Sequence, residues 1–555
     1  MNKEDTNIKI KLSKRTEIKS QEEKKMKMKK AMAVLLAAGM LVSSAACGGG
    51  DSPAGGNEGN GGGSSQANQE AGGDASGGDE GADSAGGIDM NEEPYTVAIQ
   101  VVTLPGTTLE QEAEVEEAVN AITLPAINCK VDIQNVWISE VANTTSMGAA
   151  GGEKMDLIHV ATLQQIGSMA GQGILYDMNQ DNLLQTRGKK LVELFGDLLE
   201  VGNVNGQQLA VPADIWTARA FGFYYNKNMA EELNITVPEE TDMDGLEKAL
   251  YAVKEKKPDM NPYYTGSGEN LLLGYYTSYE AYGGSNAPYG AVMDSSADTT
   301  VVNLYATDLF KDYCLKMYKW KKDGIMSGDT TDTTTNQDYF KTNAIFAVPC
   351  EVSPTAKAVN DAQYPEISLG WTITGKQQKT FSTASAYMWG IASGSERPDK
   401  AMDFLNFLYE NAEVANLMRY GIEGVNYTKI EGSDRLVETN GTYPVNFYHA
   451  GNAREMYMAM PATETIFEES DAFENEAKVS PLLGYMFDSS AYQTETATIT
   501  AAIGKYLPQL QSGASESEEA VLALIDEFNQ KLEDAGINDV IKGNQEQLDA
   551  YLAGQ

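Results

Sequence analysis

The sequence predicts an α/β fold with two lobes, and three features support this prediction. Short apolar strands alternate with amphipathic helices, a pattern that is typical of parallel βαβ units. The chain has 555 residues, which is more than one small core usually holds. No second glycine-rich linker and no internal repeat divides the main body, so we expect both lobes to belong to one compact unit.

The sequence pattern of the amino-terminal part of the body predicts a βαβ unit. Residues 95–102 (YTVAIQVV) form a predicted buried strand, and a Pro-Gly turn follows it. A helix is predicted to begin near Thr107, because Glu110 three residues later has the spacing of a capping box. Residues 130–136 and 156–160 are the predicted second and third strands.

The carboxyl-terminal half is predicted to be richer in helix. Pro398 should stand in the first turn of a helix whose apolar positions run from Ala401 to Leu408. Another helix carries apolar residues at helical spacing from Val521 to Leu532, and Gly536 is expected to end it.

The first 46 residues have the features of a secretory signal. A lysine-rich run is followed by an apolar stretch, 31–42, that is too short to span a bilayer as a mature helix. Small residues, Ala45 and Ala46, then precede Cys47, and the segment resembles a bacterial lipoprotein signal. That resemblance implies cleavage before Cys47 and attachment of a diacylglycerol to its sulfur, which would anchor the protein stably. Simple secretion is the alternative.

Residues 47–93 are predicted to be a disordered tether. After the cysteine they are Gly, Ser, Ala, Asn and acidic residues, with almost no apolar side chains to bury. A glycine-rich coil of this length would span roughly 35–40 Å root-mean-square. We therefore place the globular body at residues 94–555, held close to a membrane.

Charge and cysteine content narrow the function. The formal net charge is −39, and the first 46 residues contribute +6, so the remainder carries −45. Such an acidic surface repels phosphate backbones, which argues against nucleic acid as a partner. Cys129, Cys314 and Cys350 form no C-x-x-C pair and are predicted to be buried thiols, although one disulfide among them would also fit.

The body resembles family 1 extracellular solute-binding proteins, the maltose-binding-protein type. The resemblance rests on the order of several short segments across residues 94–555, each of them weak alone. These segments are Asn205-Gly206 with Leu209 to Pro212, Tyr224 to Met229, Trp320 to Ile325 with Ala344 to Phe346, Pro398 to Leu408, Tyr420 to Tyr427, and the run from Tyr485 to Leu552.

The resemblance implies a periplasmic-binding-protein-like fold, with hinge-linked lobes around a central ligand cleft. Lobe 1 would comprise about 94–212 and 389–477, and lobe 2 about 213–388 and 478–555. It further implies a monomeric, lipid-anchored receptor on the outer face of the cytoplasmic membrane of a Gram-positive bacterium. This receptor would capture a sugar or oligosaccharide for the permease subunits of an ABC transporter. Receptors for a peptide or polyamine, and a surface glycoside hydrolase, are the alternatives.

Aromatic residues near the implied cleft are candidates for sugar stacking. Sugars present apolar C–H faces to aromatic rings, and the loops at strand ends and lobe crossings face the cleft. We predict Trp216, Trp389 and Tyr485 as stacking plates, with Tyr387 as a further candidate. On this hypothesis Trp216→Ala or Trp389→Ala weakens ligand binding without unfolding the protein. Core packing is the alternative for each ring.

Carboxylates in the same loops are candidates for binding sugar hydroxyls. Asp214, Glu351 and Asp488 lie in these positions and could accept hydrogen bonds from a ligand. The alternative is a solvated loop charge.

No motif for catalysis, a metal or a cofactor is complete. The only histidines are His159 and His449, neither is in a metal-binding motif, and no G-x-S-x-G is present. The phosphate-loop-like stretch 370–376 is followed by Gln377 where a Ser or Thr is required. We therefore predict a binding protein, not an enzyme, without a cofactor or a metal in its site; a structural calcium ion elsewhere is the alternative that stays open.

Overall fold

The computed structural model describes residues 87–103, 107–137, 139–161, 166–264, 279–283, 288–327, 334, 336–363, 367–443 and 451–555. Residues 88–555 form one compact unit. The predicted signal segment, Cys47 and most of the predicted tether lie outside the described residues. None of the helices in the described ranges has the length and apolar character that crossing a bilayer requires.

Eighteen strands are present in the described ranges. They are β1 (Tyr95–Thr103), β2 (Cys129–Trp137), β3 (Leu157–Ala161), β4 (Asn203–Val204), β5 (Gln207–Gln208), β6 (Val211–Pro212), β7 (Ala220–Asn226), β8 (Glu280–Tyr282), β9 (Gly290–Asp294), β10 (Asp298–Val302), β11 (Ala347–Val352), β12 (Leu369–Ile373), β13 (Gln378–Lys379), β14 (Tyr387–Ile391), β15 (Tyr427–Lys429), β16 (Leu436–Thr439), β17 (Met458–Ala459) and β18 (Lys478–Val479).

The α-helices of the described ranges are numbered separately. They are α1 (Leu109–Ile127), α2 (Val141–Gly151), α3 (Ile166–Gly171), α4 (Leu183–Arg187), α5 (Lys189–Phe195), α6 (Lys227–Glu232), α7 (Met243–Lys256), α8 (Asp308–Lys322), α9 (Asn336–Lys341), α10 (Pro354–Gln363), α11 (Phe381–Ala384), α12 (Pro398–Glu410), α13 (Ala412–Tyr420), α14 (Ile466–Glu476), α15 (Gln493–Gln511), α16 (Glu518–Asp534) and α17 (Ile537–Gly554).

The first lobe is built on a five-stranded sheet. Its strand order is β2-β1-β3-β14-β6, and β1 runs parallel to both β2 and β3. The late strand β14 inserts antiparallel to β3 and to β6. Apolar side chains of these strands pack with α1, α12 and α13 into one core that includes Val97, Val119 and Phe404. The predicted βαβ arrangement of this lobe is therefore confirmed.

The second lobe is built on a three-stranded sheet of order β11-β7-β12. Both outer strands are antiparallel to β7 and hence parallel to each other. Its largest core includes Phe223 of β7 and Trp320 of α8, together with Phe528 of α16. The three carboxyl-terminal helices, α15 to α17, thus pack against this lobe. The molecule is accordingly a two-lobed α/β protein.

Two predicted helix boundaries agree with the structure and one is shifted. Pro398 stands in the first turn of α12, and Gly536 adopts φ +88° two residues after α16 ends. The cap of α1 is Thr108 with Gln111, one residue later than the predicted pair. Because two threonines are adjacent and each has a suitable partner three residues on, sequence spacing could not choose between them.

The compact unit begins earlier than the predicted tether boundary at residue 93. The amide of Asn128 donates to the backbone carbonyls of Asp89 and Glu92, at 3.1 and 2.9 Å. The Glu92 carboxylate pairs with Lys400 at 2.6 Å and with Arg397 at 2.9 Å. These partners are distant in sequence, so local composition could not reveal that residues 88–93 are held on the body.

The three cysteines of the body are buried free thiols, as predicted. Burial raises the pKa of the Cys129 thiol to about 12 and also raises the pKa of the Cys314 thiol. They therefore act as small apolar side chains in their cores.

Candidate ligand cleft

The carboxyl ends of the parallel strands meet at one edge of the first sheet. Thr103 at the end of β1 is paired with Trp137 at the end of β2. Tyr387, the first residue of antiparallel β14, is paired with Ala161 at the end of β3, and Met388 is paired with Pro212 at the end of β6. The loops that leave these strands therefore line a single edge.

The second sheet has a corresponding edge. Val352 at the end of β11 is paired with Ala220, and Ile373 at the end of β12 is paired with Gly222, so both strands end beside the start of β7. The chain enters β7 directly from β6 through residues 213–219. The carboxyl edges of both sheets thus border the same connecting segment.

Three connecting segments lie side by side between the lobes: the first is residues 213–219, the second is residues 374–386 between β12 and β14, and the third is residues 477–487 after α14. Arg219 of the first segment exchanges two backbone hydrogen bonds with Gln378 of the second, at 3.0 and 2.9 Å. The third segment adds β18, whose Lys478 amide donates to the Gln377 carbonyl at 3.1 Å. In open α/β sheets, ligands bind outside the carboxyl ends of the strands. The space between the two edges, beside these segments, is therefore the candidate ligand cleft.

An exposed indole lies at the edge of this cleft. Trp137 ends β2, and its side chain is 54% exposed although it is a large apolar group. Leu109, the first residue of α1 after the loop that leaves β1, is also exposed. Large exposed apolar groups beside a cleft are typical of ligand-contact surfaces. Trp137 was not among the residues predicted from the sequence. Strand alternation would not have found it, because it places Trp137 on the same face as the buried Val131 and Ile133, opposite Lys130 and Asp132.

Asp214 and Tyr387 lie together at the same edge. The Ala213 amide donates to the Tyr387 carbonyl at 2.9 Å, which joins the two chain segments. The Asp214 carboxylate accepts from the Trp216 amide at 2.9 Å and pairs with Arg219 at 3.4 Å. Burial raises the pKa of Asp214, and the neighbouring guanidinium only partly offsets this. Tyr387 is half-buried, with its ring 5.7 Å from that of His159. Ligand contact by either residue stays a prediction.

The other two predicted carboxylates are exposed. Glu351 is the second-last residue of β11 and therefore lies near the carboxyl edge of the second sheet. Asp488 follows the third segment. Its backbone amide donates to the side-chain oxygen of Gln547 in α17 at 2.9 Å. Its carboxylate caps the amide of Ser490 at 2.9 Å. Glu351 is thus near the cleft, whereas Asp488 is tied to the carboxyl-terminal helices.

The two tryptophans predicted as stacking plates are buried. Trp389 lies in the middle of the first sheet, is 0% exposed, and packs edge-on to His159. Trp216 is 3% exposed, packs beside Phe467, and donates from Nε1 to Asp471 at 2.8 Å. Core residues cover both rings and leave no face on which a sugar could stack in this arrangement. The structure therefore favours the packing alternative for both.

Tyr485 is also buried, at a different place. Its hydroxyl donates toward the Asn544 side-chain oxygen at 2.6 Å and lies 2.9 Å from the Asn544 carbonyl. Its ring contacts those of Tyr282 and Tyr551, at 5.4 and 5.5 Å. Burial raises its pKa. These contacts make Tyr485 part of the packing between β8 and α17.

Two family models match parts of the chain. Residues 128–415, just over half of the chain, match the model of the family described as "Bacterial extracellular solute-binding protein". Residues 481–553, which contain α15, α16 and all but the last residue of α17, match a "Domain of unknown function (DUF3502)".

One relative and two solved structures extend this similarity over most of the chain. A "Carbohydrate ABC transporter substrate-binding protein" of Streptococcus pneumoniae serotype 4 is 26% identical over 478 residues, covering 84% of this chain and 92% of the relative. The crystal structure of an N-glycan transport solute binding protein from Streptococcus pneumoniae has a TM-score of 0.71 at 23% identity, covering 82% of this chain and 99% of that one.

An HMO-binding solute-binding protein associated with an ABC transporter, from Bifidobacterium longum infantis, has a TM-score of 0.58 at 16% identity, covering 83% of this chain and 100% of that one. Both structures have the same two-lobed fold. This chain therefore belongs to the family of bacterial extracellular solute-binding proteins.

Proposed function

We propose that this chain captures an oligosaccharide outside the cell and delivers it unaltered to the permease of an ABC importer. The observation that carries the proposal is the accessible indole of Trp137, 54% exposed at the edge of a cleft between two sheets. An indole face at such a position suits the apolar face of a sugar ring. The three adjacent segments between the lobes suit a hinge that closes the cleft over the ligand.

The relatives support a carbohydrate as the ligand. The curated relative is a carbohydrate ABC transporter substrate-binding protein, and one of the structural neighbours was crystallised in complex with Man5GlcNAc. We infer that an N-glycan-type oligosaccharide, rather than a peptide or polyamine, occupies the cleft of this chain. The acidic body is compatible with an uncharged sugar, because an uncharged ligand is not repelled by surface carboxylates.

The further expectations from the sequence belong to the same proposal. A diacylglycerol on Cys47 would hold the body, as a monomer, on the outer face of the membrane, within reach of the permease. Delivery requires that the ligand leave chemically unchanged, so we propose that the protein is not an enzyme.

Calorimetry with a panel of ligands tests the proposal. The panel contains Man5GlcNAc, Man1GlcNAc, an HMO, a peptide and a polyamine, and each mixture is analysed for products after incubation. We expect binding of at least one oligosaccharide with a Kd of about 1 μM or below, close to −8 kcal/mol, and no new product. Released sugar would replace the proposal with a hydrolase, and binding of the peptide or polyamine alone would replace the ligand class.

Variants of Trp137 test the role of the indole in the same assay. Trp137→Ala removes a stacking face and should raise the Kd of the bound oligosaccharide about tenfold, whereas Trp137→Phe should retain most of the affinity. Val425→Ala is the control. Val425 is a 50% exposed apolar residue of the first lobe, and it lies just before β15, which is not part of the cleft edge. Equal affinities of Trp137→Ala and the control would remove Trp137 from the site.

A further inference from the structure

A buried carboxylate stands where the three connecting segments meet. Glu474 lies on α14 and is only 4% exposed. Four residues later β18 begins in the third segment. Acidic residues are rarely buried to this degree unless other groups pair with them. The partners of Glu474 therefore decide what the carboxylate does.

The first connecting segment donates two hydrogen bonds to Glu474. The Ala218 amide donates to Oε2 at 2.8 Å, and the Thr217 hydroxyl donates to Oε1 at 3.2 Å. Both donors are themselves buried. Residues 217–218, shortly before β7, are thus hydrogen-bonded to α14.

The second connecting segment supplies the opposite charge. Nζ of Lys379, in β13, lies 3.0 Å from Oε1 of Glu474, and the two side chains are 15% and 6% exposed. An ion pair with little access to water is screened less than a surface pair, and loss of one partner leaves a poorly solvated charge. Glu474 therefore joins the first and second segments through a single carboxylate.

The helix that carries Glu474 contacts both lobes. Ile466 and Phe467, at its start, belong to the core of the first lobe. Phe473, beside Glu474, packs against the cluster of the second lobe that contains Tyr224. Helix α14 also packs on α10 of the second lobe. A rotation of one lobe against the other must therefore change the distances around Glu474.

We propose that Glu474 is the positioning residue of the hinge and fixes the angle between the lobes in the absence of ligand. Any change of backbone dihedral in the first or second segment moves at least one donor away from a carboxylate that cannot follow, because α14 is packed on both sides. Replacing the carboxylate frees the segments to sample other angles. A smaller fraction of the molecules then has the lobe angle at which the cleft is open for capture.

The consequence for binding rests on the proposed function. The apparent Kd of a ligand equals its intrinsic Kd divided by the fraction of molecules in the competent arrangement, so a reduction of that fraction to about one fifth raises the Kd about fivefold. The angle itself can be measured without any ligand. Failure of the hinge proposal and failure of the ligand proposal are therefore separate outcomes.

Pulsed electron–electron double resonance measures the distribution of distances between two spin labels, one on each lobe, and this distribution reports the range of lobe angles. The labels are placed on Glu413→Cys in α13 and Glu518→Cys in α16, both exposed positions, in the full chain with Cys47→Ser. The remaining thiols are buried. We expect Glu474→Gln to broaden the ligand-free distance distribution at least twofold, while Glu476→Gln, an exposed neighbour on the same helix, leaves it unchanged.

A double variant separates positioning from simple destabilisation. Glu474→Gln leaves the Lys379 ammonium without its partner, whereas Glu474→Gln with Lys379→Gln removes that charge as well and should recover the Tm. We expect the distribution to stay broad in the double variant, which also carries the test if the single variant does not fold. A narrow, wild-type distribution in either variant would overturn the proposal.

Discussion

Replacement of Trp389 by alanine should lower the free energy of unfolding. The sequence alone had suggested a selective loss of ligand binding instead. Trp389 is 0% exposed, and its strand is paired on one side with β3 and on the other with β6. Its ring lies in the core of the first lobe with Val211 and Ile391. The side chain therefore contributes to stability through burial of apolar area.

The size of the effect follows from that burial. A tryptophan buries about 150–250 Å², which at about 25 cal/mol per Å² corresponds to roughly 4–6 kcal/mol. Measured replacements of Phe or Trp by Ala in cores cost about 3–5 kcal/mol. We expect about 4 kcal/mol for Trp389→Ala. Trp137→Ala should cost about 1 kcal/mol or less, because roughly half of its surface is already in water.

Urea unfolding followed by far-UV circular dichroism measures both variants without relying on tryptophan fluorescence. A loss of 4 kcal/mol should lower the urea midpoint by about 1 M, because the slope for a body of this size lies near or somewhat above the upper end of the usual range of about 1–3 kcal/mol per M. The midpoint of Trp137→Ala should stay close to that of the wild type. An unchanged midpoint for Trp389→Ala, together with lost oligosaccharide binding, would refute this reasoning and restore Trp389 as a stacking plate.

Two further predictions concern the first lobe. The hydrogen bond from Arg397, together with that from a neighbouring lysine, lowers the pKa of Glu92 from 4.5 to about 2, so its stabilising contribution is complete above pH 4.5 and is lost as the pH falls through 2. Between about pH 5 and about pH 2, the Tm of Glu92→Gln should therefore fall less than the Tm of the wild type. Identical Tm–pH profiles of the variant and the wild type would contradict this. A Cβ on Gly202 would stand 1.8 Å from the Ala210 carbonyl oxygen, so Gly202→Ala should lower the free energy of unfolding by about 1–3 kcal/mol. Gly504→Ala is the control and should leave it unchanged, because nothing lies within 4 Å of a Cβ at that position. Equal Tm values for the two variants would argue against the close approach at Gly202.

Local sequence pattern did not determine the exposure of the aromatic rings at the candidate site. The alternation of β2 places Trp137 on the face of the buried Val131 and Ile133, so this pattern would have predicted a covered indole rather than one that is 54% exposed. The burial of Trp389 could not be predicted either, because the strands that flank it come from residues 157–161 and 211–212. Aromatic residues pack well both in cores and against sugars, so residue type does not separate the two roles.

Local patterns along the chain were enough to predict the α/β class, the order of strands and helices and the acidic surface, because hydrophobic periodicity, capping and turn residues act over a few positions. The packed fold was needed to show which aromatic rings are covered, where the body begins and which groups meet at the hinge. Glu474 and its partner Ala218 are more than 250 residues apart. Contacts over such separations depend on how whole elements pack, and no local pattern encodes them.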